Sequence, residues 1–586
     1  MYILGLSCFY HDSSATILKD GEVIAAAQEE RFTRKKHDTS FPKNSAEFCL
    51  EKAGITIDQV DYIAFYEKPL LKFERLLYQH IDYFPKSYKV FLSNMPSWFN
   101  EKLRITNKVK KELGYKGTTL FVEHHMAHAS SSFFASPFNK SAILTMDGVG
   151  EWTTTAYGMG DKNEIKLDKE IIFPHSLGLL YSTITAYLGF SVNNSEYKVM
   201  GLAAYGSMDR EKNPYYKKLL NVIDIKEDGS YRLDQKYFTY SYLNRMPSKK
   251  LCDLLDGHIR KGNEEIDERH QNIAAAVQLI TEDVILKILN HLHKEKKCKS
   301  VVLSGGVALN SVANGKILNN TPFKNIWINP DPGDGGTSMG AALFVYYGIL
   351  KNKRKYKLTD AYLGPQFSDA EIKIFLDNNK INYTAFENDK ELLDNVSELI
   401  YKNNVVGWFQ LGMEWGPRAL GARSILSNPC NKNMQEVLNL KVKHREKFRP
   451  FAPVVCDDDA ERYFNIDLPL PYSTDYMLMV YPVKKKWRSK IPAVTHVDGS
   501  GRLQTVRRNQ NKLYYDLIKK FGNLSGIPIL INTSFNIRGE PIVCTPFDAY
   551  RCMMGTGIDY LVIGSYLIKR DDNPVDFWDS EKLAKD

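Results

Sequence analysis

Ala142-Ile143-Leu144-Thr145-Met146 runs directly into Asp147-Gly148-Val149-Gly150 and then into Thr153-Thr154-Thr155-Ala156-Tyr157. The pattern is an apolar strand, an acidic glycine turn and a second strand. The start of the chain repeats it. Tyr2 to Ser7 reads as a strand, His11-Asp12-Ser13-Ser14 as the turn and Ala15 to Leu18 as the return strand, closed by Asp20-Gly21. Asp12 and Asp147 stand 135 positions apart. Later, Ser300-Val301-Val302-Leu303 leads through Ser304-Gly305-Gly306-Val307-Ala308-Leu309-Asn310 into a helical stretch. A further strand, Ile326-Trp327-Ile328-Asn329, ends in Pro330-Asp331-Pro332-Gly333-Asp334-Gly335-Gly336. Glycines at such turns let the backbone approach a phosphate or an adenosine without a Cβ in the way. Ser13, Gly148, Gly305, Gly306 and Asn310 are accordingly the candidate nucleotide-binding positions. Asp334 stands at a strand end before a glycine-rich helix start, where a lone aspartate is ordinarily an N-cap.

Glu123-His124-His125-Met126-Ala127-His128 lies between a β-branched strand, Thr118 to Val122, and a small-residue helix, Met126 to Ala135. On a helix His124 and His128 share a face one turn apart. His125 and His128 are neighbours as well, so spacing leaves the pair open. Neutral imidazoles with a carboxylate suit a divalent transition metal; the bland alternative is a solvated histidine cluster.

The 586 residues exceed one hydrophobic core, so two or more domains are expected. With 43% hydrophobic and 25% charged residues and a mean hydropathy of −0.35, the chain reads as a soluble globular protein. A net charge of +9 permits anionic substrates without demanding nucleic acid. Eight scattered cysteines with no C-x-x-C pair argue against a zinc ribbon and a disulfide framework, and for a reducing, cytoplasmic compartment. No signal peptide and no apolar run of membrane-spanning length is evident. Lys351 to Lys355 reads as a solvated linker. The expected division is 1–355 and 356–586, with a polar insertion from Glu211 to Asp267 in the first part. The second part shows short strands at Val405 to Phe409, Phe451 to Val455, Ile527 to Ile531 and Tyr560 to Gly564.

Two hairpin loops followed by a glycine-rich strand-to-helix turn resemble the sugar-kinase, chaperone and actin superfamily. That resemblance implies an α/β chain whose N-terminal domain is an actin-like ATPase fold (RNase H-like) with two duplicated subdomains. More specific motifs occur in order: Tyr10 to Ala15, Gln28 to Phe32, His124 to His128, Met146 to Glu151, Glu196 to Gly206 and Asn532 to Asn536. Together they resemble the NodU/CmcH family of O-carbamoyltransferases, from Ile3 to about Leu567.

The resemblance implies a metal, usually iron, in a first domain similar to the universal tRNA threonylcarbamoyl transferase. Its ligands, carried over by motif, are His124, His128, Asp147 and Asp334; zinc or manganese would also suit them. The C-terminal domain is similar to the YrdC-like α/β fold that makes carbamoyl-adenylate, marked by a K-x-R and a later S-x-N. Here these are Lys447-Phe448-Arg449 and Ser534-Phe535-Asn536. Carbamoyl phosphate and ATP bring several negative charges together, which requires fixed cations. Arg418, Arg423, Lys441, Lys443, Lys447, Arg449 and Arg502 are the candidates, with Ser534 and Asn536 as neutral donors. For roughly half of such isolated cations a solvated surface role is expected. His11 beside Asp12 is the candidate general base, and Asp12 and Arg449 are the further catalytic candidates.

The implied reaction has two stages: carbamoyl-adenylate is made from carbamoyl phosphate and ATP with Mg2+, then a hydroxyl of a small-molecule acceptor displaces AMP. Neither a nucleic-acid nor a membrane partner is expected, and a monomer or homodimer would suffice. Two alternatives stand beside it. A protein-thiol carbamoyltransferase of the hydrogenase-maturation type should carry paired C-x-x-C motifs, and a tRNA-modifying protein should concentrate its basic charge.

Overall fold

The computed structural model describes residues 1–446 and 448–573. It divides into two compact units: Met1–Glu29 with Thr39–Leu358, and Glu30–Asp38 with the chain from Thr359 onward.

Unit 1 contains the same sheet twice. Strands β1 (Tyr2–Ser7), β2 (Ser14–Lys19), β3 (Glu22–Gln28), β4 (Tyr62–Phe65) and β5 (Thr118–Phe121) lie in the order β3-β2-β1-β4-β5. The β1/β2 and β2/β3 pairs are antiparallel; β1/β4 and β4/β5 are parallel. The second sheet uses β6 (Lys140–Met146), β7 (Thr153–Asp161) and β8 (Glu164–Ile172). After the two-stranded ribbon of β9 (Ile223–Ile225) and β10 (Tyr231–Leu233) come β11 (Ser300–Ser304) and β12 (Asn325–Ile328). Its order, β8-β7-β6-β11-β12, repeats the first sheet strand for strand, antiparallel hairpins at one edge and parallel crossovers at the other. This is the duplicated actin-like ATPase topology. The two acidic turns read from the sequence are the β1–β2 and β6–β7 connections.

Four helices position the site: α1 (Pro69–Asp82), α2 (His124–Phe133), α3 (Glu268–Lys296) and α4 (Thr337–Leu343). Every residue of α4 is buried. Small residues let it sit that close: a Cβ at Gly5 of β1 would meet the Ser338 carbonyl oxygen at 2.0 Å, and one at Gly340 would meet that of Ala127 in α2 at 1.8 Å. Two hydroxyls brought inside beside α4 are satisfied, Ser14 Oγ by Gly335 O and Ser338, and Thr16 by Ser338. α3 starts where the Asp267 side chain accepts the His270 N–H, and buries Ile273, Val277, Ile280, Val284 and Ile288. Each such side chain stabilises the fold by about 1.5–3 kcal/mol relative to exposure.

The stretch read as a polar insertion is tied to the sheet, because the Tyr231 hydroxyl donates to or accepts from Thr155 and accepts the Leu177 N–H. The expected solvated linker at 351–355 is corrected at Arg354, whose guanidinium donates to the carbonyls of Phe133, Phe134, Ser136 and Phe138. Four carbonyls at the end of α2 needed a donor, and the fork of Arg354 supplies it.

Unit 2 is an α/β layer on one mixed sheet. Its strands are β13 (Thr384–Ala385), β14 (Val406–Phe409), β15 (Arg423–Ser427), β16 (Ala452–Cys456), β17 (Met479–Pro482), β18 (Ser500–Val506), β19 (Ile529–Ser534), β20 (Tyr560–Ile563) and β21 (Tyr566–Lys569). They lie in the order β13-β21-β20-β14-β15-β19-β16-β18-β17. Helices α5 (Asp389–Tyr401) and α6 (Lys512–Ser525) cover one face. Tyr514, Leu517, Ile518 and Phe521 follow helical spacing on α6 and pack with Trp408, Leu426, Val454 and Leu530 of the sheet. Residues 30–38 belong here too: Arg31 donates to Gly416 O, and Arg34 to the carbonyls of Pro541 and Ile542. No helix among the described residues is long and apolar enough to cross a membrane.

Candidate functional site

In unit 1 the first turn of α2 is fixed by Glu151, whose carboxylate accepts the His124 N–H at 3.1 and 3.2 Å in place of a cap from Glu123. From that start His124 and His128 point to one side. Their Nε2 atoms are 3.1 Å apart. His124 Nε2 is 3.1 Å from Asp147 Oδ2 at the end of β6 and 3.6 Å from Asp334 Oδ1; His128 Nε2 is 3.4 Å from Asp334 Oδ1. His125 turns away and pairs its Nδ1 with Thr145 Oγ1 at 2.7 Å.

One ligating atom from each of His124, His128, Asp147 and Asp334 lies within 4.8 Å of the other three. All four residues are buried, and both carboxylate oxygens of Asp334 lack a hydrogen bond. An unsatisfied buried carboxylate is costly. At ligand distances of about 2.1 Å, donor atoms around a metal are roughly 3.0–3.4 Å apart. Three of the contacts here lie in that range, and His124–Asp334 and His128–Asp147 are slightly wider at 3.6 and 3.9 Å. The donor set therefore fits a divalent cation. Burial favours a neutral His124, yet the carboxylates of Asp334 and Asp147 override it and hold the ring up to about 9. Burial would likewise raise Asp147, but His124 and His128 keep it well below the ordinary range. Beside the cluster, His11 Nδ1 pairs with Asp12 Oδ2 at 2.8 Å, and its Nε2 is 3.6 Å from Asp334 Oδ2.

The glycine turns flank this cluster. Gly306 N donates to Asp147 Oδ1 at 3.0 Å, and Gly305 adopts φ +90°, where an added Cβ would strike the Met146 carbonyl oxygen at 2.1 Å. Ser13 Oγ is buried with no partner. Gly148 accepts from Ser176 Oγ through its carbonyl.

In unit 2, Lys443 reaches the end of β19. Its buried ammonium donates to the Ser534 carbonyl and to the carbonyl and side-chain oxygens of Asn536, the latter two at 2.9 Å. Burial, with the like charges of Arg445, Arg449 and Lys36, pulls its pKa well below the lysine range. Glu414 organises the loop from Gly416 to Arg423, its Oε1 accepting the N–H groups of Leu420, Ala422 and Arg423 at 2.7, 2.7 and 3.0 Å.

Residues 2–343 match the family model described as carbamoyltransferase N-terminus, and residues 397–570 that described as carbamoyltransferase C-terminus. The chain belongs to the carbamoyltransferase family. An uncharacterized protein of Synechocystis is 46% identical, over 98% of this chain and 97% of that one. Nodulation protein NolNO of Sinorhizobium fredii is 35% identical, over 98% of this chain and 81% of its own length. Among solved structures, component A of the Acidaminococcus fermentans (R)-2-hydroxyglutaryl-CoA dehydratase covers 60% of this chain and 99% of its own, at 16% identity and a TM-score of 0.33.

Several residues named from the sequence of this carbamoyltransferase occupy places other than an open anion site. Arg423 is fully buried, and its guanidinium donates to the carbonyls of Gln410, Ala422 and Pro365 while lying 3.5 Å over the Phe409 ring. Both of its terminal nitrogens are committed to the fold, and its buried Nε has no partner. Asn310 caps Ala313 and exchanges two hydrogen bonds with Gln278, so its amide is likewise committed. Lys441 is exposed. Arg418 is half-buried on the loop that Glu414 orders. Arg502 lies on β18, separated from β19 by β16, and Arg449 pairs with Glu446 at 3.4 Å. Lys447 lies outside the described residues. Glu151 and Glu414, which hold the two loops by backbone N–H groups, were not among the sequence candidates. Their signal was a lone glutamate inside a glycine-rich turn.

Proposed function

We propose that the chain is an ATP-dependent O-carbamoyltransferase that works through carbamoyl-adenylate. In unit 2, carbamoyl phosphate loses phosphate to water, and an oxygen of the resulting carbamate attacks the α-phosphorus of ATP, carried with Mg2+, expelling pyrophosphate. Lys443 is the cation at the end of β19 that would hold the donor's anionic oxygens, with Ser534 and Asn536 beside it and Arg418, Arg449 and Arg502 as the further basic side chains. In unit 1 the acceptor hydroxyl attacks the carbamoyl carbon, the C–O bond to AMP breaks, and AMP leaves with the bridging oxygen.

His124, His128, Asp147 and Asp334 would hold the divalent cation, Fe2+ by preference. Bound there, it would neutralise the two carboxylates and act as a Lewis acid toward oxygen ligands. His11, oriented by Asp12 through Nδ1, is the base proposed to take the acceptor's proton at Nε2. Gly148, Gly305 and Gly306, with Ser13, give the nucleotide phosphates a backbone without Cβ groups. The acceptor is a hydroxyl-bearing small molecule, a sugar or natural product.

The observation that carries this reading is the presence in one chain of two sites of different chemistry, a buried His/Asp cluster and a buried lysine on Ser534 and Asn536. Activating a carbamate and transferring it require those two kinds of site. Incubating the protein with carbamoyl phosphate, ATP and magnesium, without acceptor, tests it by mass spectrometry. Carbamoyl-adenylate, AMP and pyrophosphate are the expected products, and unchanged ATP with metal-loaded protein would reject the donor half.

A further inference from the structure

Near the His/Asp cluster of unit 1 sits a cation that the reaction as described does not use. Arg75 of α1 is 5% exposed, yet among the described residues no carboxylate lies within ion-pair distance of it. Its NH1 donates to the neutral Gln79 Oε1 at 3.2 Å, its Nε has no partner, and its Cζ lies 4.9 Å over the Phe173 ring. Both acids within its electrostatic reach are already used: Glu67 is paired with Lys72, which in turn lies 5.1 Å over the Tyr10 ring, and Glu151 accepts the backbone N–H groups of Lys68 and His124. Burial presses the Arg75 pKa to about 10, so the guanidinium keeps its charge at neutral pH.

Its position relates it to the cluster. Lys72, three residues before Arg75 on α1, lies over the Tyr10 ring, the Tyr10 and His11 ring centroids are 4.7 Å apart, and His11 Nε2 is 3.6 Å from Asp334 Oδ2. The Tyr10 hydroxyl also feels the carboxylates of Asp147 and Asp334 and the charge of Arg75. Arg75 also lies within electrostatic reach of Glu151, the residue that fixes the first turn of α2. A buried guanidinium with unused donors costs stability, and such a cost is retained where a ligand supplies the missing partner. A planar fork of N–H groups matches a carboxylate or phosphate.

We infer that Arg75 selects the charge of the acceptor: the hydroxyl compound carbamoylated in unit 1 carries an anionic group, carboxylate or phosphate, that pairs with the Arg75 guanidinium. This rests on the transfer reaction proposed above and names its substrate class. Polycationic acceptors are disfavoured by the same charge.

The test reads binding rather than turnover. Calorimetric titration of the metal-loaded full chain would use glucuronic acid, glucose 6-phosphate, glucose and glucosamine. At least one anionic sugar should bind tenfold or more tightly than glucose and glucosamine, and the better of the two anions distinguishes a carboxylate from a phosphate. Arg75→Gln should erase the difference, and Arg75→Lys should restore part of it. Without a sugar present, Arg75→Met should melt at or above the wild-type temperature, because it removes an unpaired buried charge. Absence of charge preference, including failure of both anions to bind, overturns the inference; so does a clear drop in melting temperature for Arg75→Met. Failure of the wild type to form carbamoyl-adenylate would instead count against the donor chemistry.

Discussion

His124 and His128 present their Nε2 atoms to each other at 3.1 Å across one turn of α2. Two imidazoles so placed, with the unpartnered oxygens of Asp334 beside them, form a site whose natural guest is a cation. His128→Ala or Asp334→Asn is expected to lower bound metal at least tenfold, read by inductively coupled plasma mass spectrometry. Carbamoyl transfer should stop while acceptor-free AMP formation persists. Unchanged metal content in either variant would remove the residue from the ligand set.

Lys443 gives a pH dependence with a definite sign. Its folded pKa is below the ordinary lysine value, so between the two values the unfolded chain holds a proton that the folded chain has released. Stability therefore rises with pH through that window. An anionic donor favours the charged form, so binding takes up a proton, and affinity should fall about tenfold per pH unit above the pKa of the free site. The KM for carbamoyl phosphate should rise accordingly, and Lys443→Arg, which stays charged, should flatten the profile. A pH-independent KM in the wild type would show that Lys443 does not contact the donor.

Arg423 should behave as a structural residue. Arg423→Met orphans the carbonyls of Gln410, Ala422 and Pro365 and is expected to cost on the order of 3 kcal/mol in chemical denaturation. The KM for carbamoyl phosphate should be unaltered in the protein that remains folded. A raised KM with normal stability would return Arg423 to the donor site.

Gly305 cannot accept a side chain. At φ +90° and with the Met146 carbonyl oxygen 2.1 Å from the Cβ position, Gly305→Ala must open the turn that places Gly306 N on Asp147. A loss of about 2 kcal/mol or more is expected, measured as a shift in urea midpoint.

Much of unit 1 was legible because strand patterns and acidic turns are local. Asp12 and Asp147 announced the duplication that the two sheets display. The pairing of His124 with His128 rather than His125 was open from spacing, because it depends on Glu151 setting the start of α2 and on Thr145 engaging His125. Both partners are distant in sequence. Arg354 read as a linker charge because its four carbonyl acceptors lie more than 200 positions away. The assignment of Glu30–Asp38 to the second unit was hidden for the same reason. Lysines 441, 443 and 447 cannot be ranked by sequence; burial separates Lys443 from Lys441.

Oxygen labelling tests the carbamoyl-adenylate most directly. The protein would be given carbamoyl phosphate bearing 18O in both carbamoyl oxygens, ATP, magnesium and an accepted hydroxyl compound, and the AMP produced would be weighed by mass spectrometry. If the carbamate oxygen attacks the α-phosphorus and the carbamoyl carbon is later attacked by the acceptor, AMP carries one 18O. Unlabelled AMP alongside carbamoylated product would contradict an adenylate intermediate and leave ATP with some other role.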